Sequence, residues 1–210
     1  MDHMNVLIER YPDLLPCIQD IRDAYQFLFD CYQNGGKVLV CGNGGSASDS
    51  EHIVGELMKG FSLKRPLPPD LQEKFKQAYG EDGVFIAERL QGGLPAISLV
   101  SQISLLTAFA NDVSADLIFA QQVYAYGKPG DVLIAISTSG RAKNIITALQ
   151  VAKIVGLRTV GLTARDGGEM PPYCDTAIRV PAHSTASAQE RHLPIYHTLC
   201  AMLEEAFFST

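Results

Sequence analysis

His52 and Glu56 stand four residues apart in a stretch of helical pattern, Ala47 to Lys59, so their side chains fall on one face. An imidazole and a carboxylate so placed can hold a metal ion or move protons between the carbons of a bound sugar. A lone histidine on a helix is more often a structural residue. What strengthens this one is Gln189 and His197 in the last helical stretch of the chain. Eight helical residues span ~12 Å, so Gln189 and His197 can share a site only by leaning toward each other. Pro194 lies between them and is expected to kink or restart their helix. His183 and His192 are read as structural or rim residues.

Two polar loops could bind an anion. The first, Gly42-Asn43-Gly44-Gly45-Ser46, follows the apolar run Val38-Leu39-Val40-Cys41 and precedes the helix that carries His52 and Glu56. Glycines there leave backbone N–H groups bare, and the helix N-terminus adds the positive end of its dipole, so a phosphate fits. The second, Ser137-Thr138-Ser139-Gly140, also follows an apolar strand and opens a helix. Ser and Thr cap many helices with no ligand involved. Two such loops together, neither a dinucleotide nor a Walker pattern, favour a phosphate with a hydroxyl-rich body attached. Asn43, Gly44, Gly45, Ser46, Ser137, Thr138 and Ser139 are therefore the candidate substrate contacts.

These residues need a scaffold that brings two strand ends together. Buried strands are expected at Val38–Cys41, Pro95–Val100, Asp131–Ile136, Thr159–Thr163 and Thr176–Val180, with helices between them. The predicted helices are Ser101–Ala110, ended by Asn111-Asp112, then Asp116–Tyr126, Ala142–Val155 and Ala188–Phe208. An amphipathic segment from Val6 to Asn34 precedes the first strand, with Pro12 and Pro16 marking off a short separate piece. That segment either packs on another subunit or caps one face of the sheet. Strand and helix alternate without an internal repeat, which predicts an α/β three-layer sandwich around a mostly parallel five-stranded sheet, as one domain over residues 1–210. Ligands of such sheets bind beyond the carboxyl ends of the strands, so both polar loops belong at one rim. A surface insertion, about 64–93, interrupts the rhythm with Arg65-Pro66-Leu67-Pro68-Pro69 and a short helix expected to be capped by Asp70. It reads as a lid or interface piece, or as a passive excursion.

Composition removes several classes. The net charge of −6 comes with no basic stripe, so nucleic acid is not an expected partner. Five scattered cysteines, odd in number and without a Cys-x-x-Cys pair, suit a reducing compartment rather than a disulfide frame. No signal peptide and no membrane-spanning run are expected, and the chain reads as cytoplasmic.

The chain resembles the sugar isomerase (SIS) domain family, and within it the phosphoheptose isomerase branch. The resemblance rests on Cys41-Gly42-Asn43-Gly44-Gly45-Ser46, His52-x-x-x-Glu56, Asn111-Asp112, Gly130-Asp131-Val132-Leu133 running to Ile136-Ser137-Thr138-Ser139-Gly140, Leu162-Thr163 before Asp166-Gly167-Gly168, and Gln189-Glu190 followed by His197. It spans nearly the whole chain apart from about Pro68 to Gly93. It implies a flavodoxin-like fold and a homotetramer with sites at subunit interfaces. It further implies one Zn²⁺ per subunit held by His52, Glu56, Gln189 and His197. The implied reaction is aldose–ketose isomerisation of sedoheptulose 7-phosphate to D-glycero-D-manno-heptose 7-phosphate. Ser46, Ser137, Thr138 and Ser139 would contact the substrate, joined by Gln189, and Asp112 would orient it.

The chemistry agrees with the residues. Glu56 suits proton transfer at carbon, and His197 suits proton transfer between oxygens. Zinc would polarise the carbonyl, yet a zinc-bound carboxylate is a weaker base, so the two roles of Glu56 compete. The chain departs from the family pattern at Arg141-Ala142-Lys143, where a further hydroxyl is usual, at Lys59-Gly60-Phe61, where an arginine is usual, and in the longer insertion. Each departure bears on the sugar more than on the reaction. Two rival readings carry no turnover: a protein that binds a replication initiator, and a sugar-phosphate sensor. Retention of His197 counts against the first, and retention of Glu56 and His197 against the second.

Overall fold

The computed structural model describes residues 2–209. Five strands, β1 (Val38–Gly42), β2 (Ala96–Ser98), β3 (Val132–Ile136), β4 (Arg158–Ala164) and β5 (Thr176–Val180), form one sheet in the order β2-β1-β3-β4-β5. Every pairing is parallel, so the expected mostly parallel sheet is wholly so. Parallel strands need helical crossovers, and those cover both faces. Alternation along each strand divides the core between two layers. Val38, Val40, Val132, Ile134 and Ile136 pack with α1 (His3–Arg10), α2 (Ile18–Gln33) and α8 (Thr185–Phe208). Leu39, Cys41, Leu133 and Ala135 pack on the other side with α6 (Ile118–Tyr126) and α7 (Lys143–Val155). Each wholly buried Leu, Ile or Val side chain contributes roughly 1.5–3 kcal/mol, which is why β1 and β3, buried at every position, anchor the sheet.

The amphipathic N-terminal segment divides as its prolines require. α1 is followed by a 3-10 turn, Pro12–Cys17, and then by α2, which stops at Asn34. The α1–α2 unit buries Met4, Leu7, Leu14, Ile21 and Leu28 against the sheet and α8 within this chain, as expected of a cap on one face.

Four local expectations are corrected. α3 (Gly45–Met58) begins two residues before Ala47, because Gly44 at φ 57° turns the chain directly into the helix. The insertion is longer in helix than expected: α4 (Pro69–Arg89) reverses sharply at Gly80, φ 57° and ψ −124°, and Pro69 rather than Asp70 opens it. A Cβ on Gly83 would meet the Phe75 carbonyl, so the two arms of that hairpin lie in contact. An isolated antiparallel bridge between Pro66 and Gln91 closes its base. Asn111-Asp112 do not end a helix. α5 (Ile103–Phe109) runs into a π-helical turn, Ala110–Ser114, and a 3-10 turn, Ala115–Leu117, before α6. Finally, Pro194 neither breaks nor restarts α8, which is continuous. The carbonyl that loses its donor belongs to Glu190, an exposed residue open to water.

The stretch Ile103–Tyr126 is long and apolar enough to cross a membrane by length and composition, where none was expected. It is not one straight helix, and Asn111, Asp112 and Asp116 sit at its centre. Ile103, Val113 and Tyr124 are 72%, 63% and 71% exposed, whereas Phe119, Ala120 and Val123 of α6 are buried in the core.

A buried ion pair ties the end of α3 to α8. Arg65 Nε donates to Glu204 Oε1 at 2.7 Å, with side-chain exposures of 0% and 1%. The same guanidinium donates to the carbonyls of Leu57 at 2.7 Å and Glu56 at 3.1 Å, the last turn of α3. Glu204 also accepts from the N–H groups of Phe61, Ser62 and Leu63.

Candidate active site

The register of β1 on β3 places Gly42 opposite Ile136. The two polar loops therefore leave the sheet side by side, at the carboxyl edge where such folds bind ligands. Asn43 and Asn144 exchange amide hydrogen bonds of 2.9 and 3.0 Å, which clamp the first loop to the start of α7. Gly140 sits at φ +63°, and a Cβ there would meet the Gly167 carbonyl. The Glu169 N–H donates to the Gly140 carbonyl at 2.8 Å, so the 165–168 loop braces the second polar loop. Glycine is required at this position both for its backbone conformation and for the space.

Between the loops lies a cavity of about 320 Å³ lined by Asn43, Gly44, Gly45, Ser46, Ser137, Thr138, Ser139 and Gln189, with Thr185 at its edge. Every candidate substrate contact from the two loops is thus brought to one place. Ser46 and Ser137 are buried, while Ser139 is exposed at the mouth. Gln189 lies over Gly45, where a Cβ would run into its amide. Asp112 is not among the lining residues. It is exposed in the π-helical turn and accepts from Asn111 Nδ2 at 2.8 Å. Arg141 lies against the second loop, donating to the Ser139 carbonyl at 3.4 Å and pairing with Asp166 at 3.5 Å.

Farther along α3 a second group assembles. His52 Nε2 lies 3.2 Å from Glu56 Oε1 and 3.4 Å from His197 Nε2, with the two imidazoles edge to face. The helical spacing brings His52 to Glu56, and the packing of α8 on α3 brings His197 to both. Lys59 reaches Glu56 Oε2 at 3.4 Å. Burial lowers the His197 pKa, the nearby His52 lowers it further and Glu56 raises it, with a net downward shift. His197 is thus a neutral imidazole near neutral pH, able to accept a proton. By contrast His192 is wholly buried, its Nε2 faces the Thr163 carbonyl at 3.2 Å, and burial pushes its pKa down to about 4. That makes it the structural residue it was expected to be.

Sequence reasoning passed over two members of this group. The Tyr196 hydroxyl lies 3.0 Å from His52 Nδ1 and 3.2 Å from Asp49 Oδ1. Asp49 was legible by spacing, since Asp49, His52 and Glu56 follow at steps of three and four along one face. Tyr196 carried no signal beyond its place beside His197. Burial, followed by the Asp49 carboxylate, raises the Tyr196 pKa, so the phenol keeps its proton.

Two imidazoles and a carboxylate are donors zinc accepts. The 3.2 and 3.4 Å spacings from His52 Nε2 match the ~3.3 Å between ligand atoms of a tetrahedral zinc with Zn–N distances of about 2.0–2.1 Å. The set is not assembled around one centre. Among the described residues no group of three or more His, Cys, Asp or Glu side chains is arranged to hold a metal ion, and Gln189 stays over Gly45.

The SIS domain family model matches residues 16–80 and 80–164. The chain belongs to the SIS domain family. It is 41% identical over 179 residues to a phosphoheptose isomerase of Aneurinibacillus thermoaerophilus, covering 85% of this chain and 77% of that one. It is 40% identical over 191 residues to a phosphoheptose isomerase of Clostridium acetobutylicum, covering 91% and 84%. A solved phosphoheptose isomerase of Francisella tularensis superposes with a TM-score of 0.73 at 30% identity, covering 97% of this chain and 92% of that chain. The parallel five-stranded α/β architecture is the flavodoxin-like arrangement of that family.

Proposed function

We propose that this chain is an aldose–ketose isomerase that interconverts sedoheptulose 7-phosphate and D-glycero-D-manno-heptose 7-phosphate in heptose biosynthesis. The observation that carries the reading is the separation of two sets of groups along α3. Its first turn helps to line the cavity between the polar loops, and His52 and Glu56 follow two to three turns later beside His197. The substrate is built the same way, with its phosphate at carbon 7 and its reacting carbons, 1 and 2, at the other end.

In this reading Ser46, Ser137, Thr138 and Ser139, with the N–H groups of the first loop, bind the phosphate and the hydroxyls beside it. Glu56 takes a proton from the carbon next to the carbonyl and returns it to its neighbour, through an enediolate. His197, neutral by virtue of its burial, moves the proton between the two oxygens. Gln189 closes the cavity over Gly45 and reaches the sugar from α8. A zinc ion bound by His52, Glu56, His197 and Gln189 would supply a Lewis acid for the carbonyl oxygen. Such a set requires Gln189 to move from Gly45 toward the imidazoles.

The exposed apolar stretch Ile103–Tyr126 supports a homo-oligomer, a tetramer by family resemblance, with that stretch covered by a neighbouring copy. Asp112 stands on the same exposed stretch, away from its own cavity, which supports its contribution to a site shared between subunits. Five unpaired cysteines and a phosphorylated substrate support a cytoplasmic location.

Conversion of sedoheptulose 7-phosphate by the purified protein tests the reading, before and after treatment with a chelator and with metal analysis of the same sample. Turnover lost on chelation and restored by zinc is expected. Zinc bound without turnover refutes the sugar, and absence of both refutes the isomerase.

A further inference from the structure

Asp49, Tyr196 and His52 form a chain of hydrogen bonds that neither the loops nor the acid–base pair requires. Tyr196 is buried, and its ring lies edge to face with His52 at 5.4 Å between centroids and 74°. Its hydroxyl touches Asp49 Oδ1 at 3.2 Å and His52 Nδ1 at 3.0 Å. The other carboxylate oxygen, Asp49 Oδ2, is buried without a hydrogen-bond partner among the described residues.

A phenol has one proton to give. A carboxylate can only accept, and with Oδ2 unpartnered the hydroxyl of Tyr196 is the donor that Asp49 has on this side. Sending that proton to His52 instead would leave the carboxylate without it, at the desolvation cost of an unpaired buried acceptor. With the proton directed at Asp49, the phenol oxygen is left to accept, and Nδ1 of His52 must carry the hydrogen that it accepts.

We infer that Tyr196 and Asp49 are positioning residues that fix the proton of His52 on Nδ1 and so present Nε2 to Glu56 and His197. The arrangement makes Nε2 the working nitrogen, free to bind a cation or to exchange a proton. In the opposite tautomer an Nε2–H would spend itself on the Glu56 carboxylate 3.2 Å away. A partner on the far ring nitrogen that sets the tautomer and orientation of a ligating histidine is a general device of metal and acid–base sites. The inference rests on the reading of His52 as part of the reacting group, but not on which sugar is turned over.

Nitrogen NMR of the metal-free protein labelled at histidine tests it directly, at about pH 8.5, two units above the ordinary imidazole range. In the unsubstituted protein the His52 signal should show a protonated Nδ1 and an unprotonated Nε2. Tyr196→Phe should move the proton to Nε2. Asp49→Ala, which removes a residue not bonded to His52, should do the same, because Tyr196 then donates to Nδ1. Thermal unfolding of both variants checks that they are folded, and either folded variant suffices. An Nε2–H in the unsubstituted protein, or an unchanged Nδ1–H in the folded variants, overturns the proposal. Zinc affinity measured by chelator competition is expected to fall 10- to 100-fold in Tyr196→Phe. Absence of zinc binding in the unsubstituted protein would count against the zinc reading alone, since the tautomer is observed without metal.

Discussion

Glu204→Gln is the substitution that reads the scaffold most sharply. The glutamate accepts from Arg65 Nε and from three consecutive backbone N–H groups at 2.7 to 2.9 Å, and it is 1% exposed. Glutamine keeps the shape but removes the charge and turns one acceptor oxygen into an NH₂ group. Arg65 is then left as a buried cation without its counter-ion. Breaking a buried pair from one side costs about 3–5 kcal/mol. Unfolding entropy near the midpoint is about 2.1 cal/mol/K per residue, hence about 0.44 kcal/mol/K for 210 residues. A loss of about 4 kcal/mol then lowers Tm by about 9 °C. Calorimetry at fixed protein concentration measures it, because self-association would shift Tm by mass action. Adding Arg65→Met to Glu204→Gln should recover part of the loss, since no cation is left unpaired and the glutamine oxygen still accepts from the backbone N–H groups of the 61–63 turn. A fall of less than about 3 °C in Glu204→Gln would refute the reasoning. So would a double variant as unstable as the sum of the two single ones.

Three further outcomes are expected. Glu56→Gln and His197→Ala should each lower kcat by about 10²–10⁴-fold while far-UV circular dichroism stays unchanged; near-normal turnover in either would remove that residue from the acid–base pair. Ser137→Ala combined with Ser139→Ala should raise KM about 10- to 100-fold with little change in kcat, the loss of hydrogen bonds to a charged group, and unchanged kinetics would move the phosphate elsewhere. His192, with its pKa lowered from 6.5 to about 4, binds its proton more readily in the unfolded chain, so stability should fall as pH drops through that interval, by up to about 3 kcal/mol. Urea midpoints at pH 7.5 and pH 5 should therefore differ less in His192→Asn than in the unsubstituted protein, and equal differences would show that the buried imidazole does not drive the loss.

Much of the architecture was legible because the physics behind it is local. Val38 to Cys41 and Val132 to Ile136 are unbroken apolar runs, and only a strand buried on both faces can use them. Gly156, in the left-handed conformation after α7, ended its helix as a glycine is expected to. The misses are places where tertiary packing overrode a local rule. Pro194 stays inside α8 because its neighbours bury it and the deprived carbonyl belongs to an exposed residue. Asn111 and Asp112 are ordinary helix stops, yet the chain keeps coiling through a π-helical and a 3-10 turn. The two loops and the His52–Glu56 pair could be found by spacing alone. The relation of His197 to His52 could not, since 145 residues separate them and only the packing of α8 on α3 closes that gap. Tyr196 and Glu204 were invisible for the same reason: each matters through a partner that lies far away in the chain.

The separate pieces of the site are tied together by α3. Its first residue, Gly45, lies in the wall of the cavity between the loops, and His52 and Glu56 follow seven and eleven residues on. At 1.5 Å per residue those positions are ~10 and ~16 Å along the axis. On the proposed assignment, the helix sets the separation between the groups that would bind the phosphate and those that would transfer the proton, in units that loop movement cannot easily change. Both of its ends are held. Asn144 clamps the loop before it, and Arg65, with Glu204 behind it, holds the carbonyls of Glu56 and Leu57 at the other end. A phosphorylated sugar that binds by its phosphate is then sampled at one distance from that phosphate. Sugars whose carbonyl lies nearer to the phosphate would bind in the cradle and leave Glu56 and His197 without a carbon to act on. In this view length discrimination is a property of a rigid helix fixed at both ends, and the loops proposed to touch the substrate need supply only affinity.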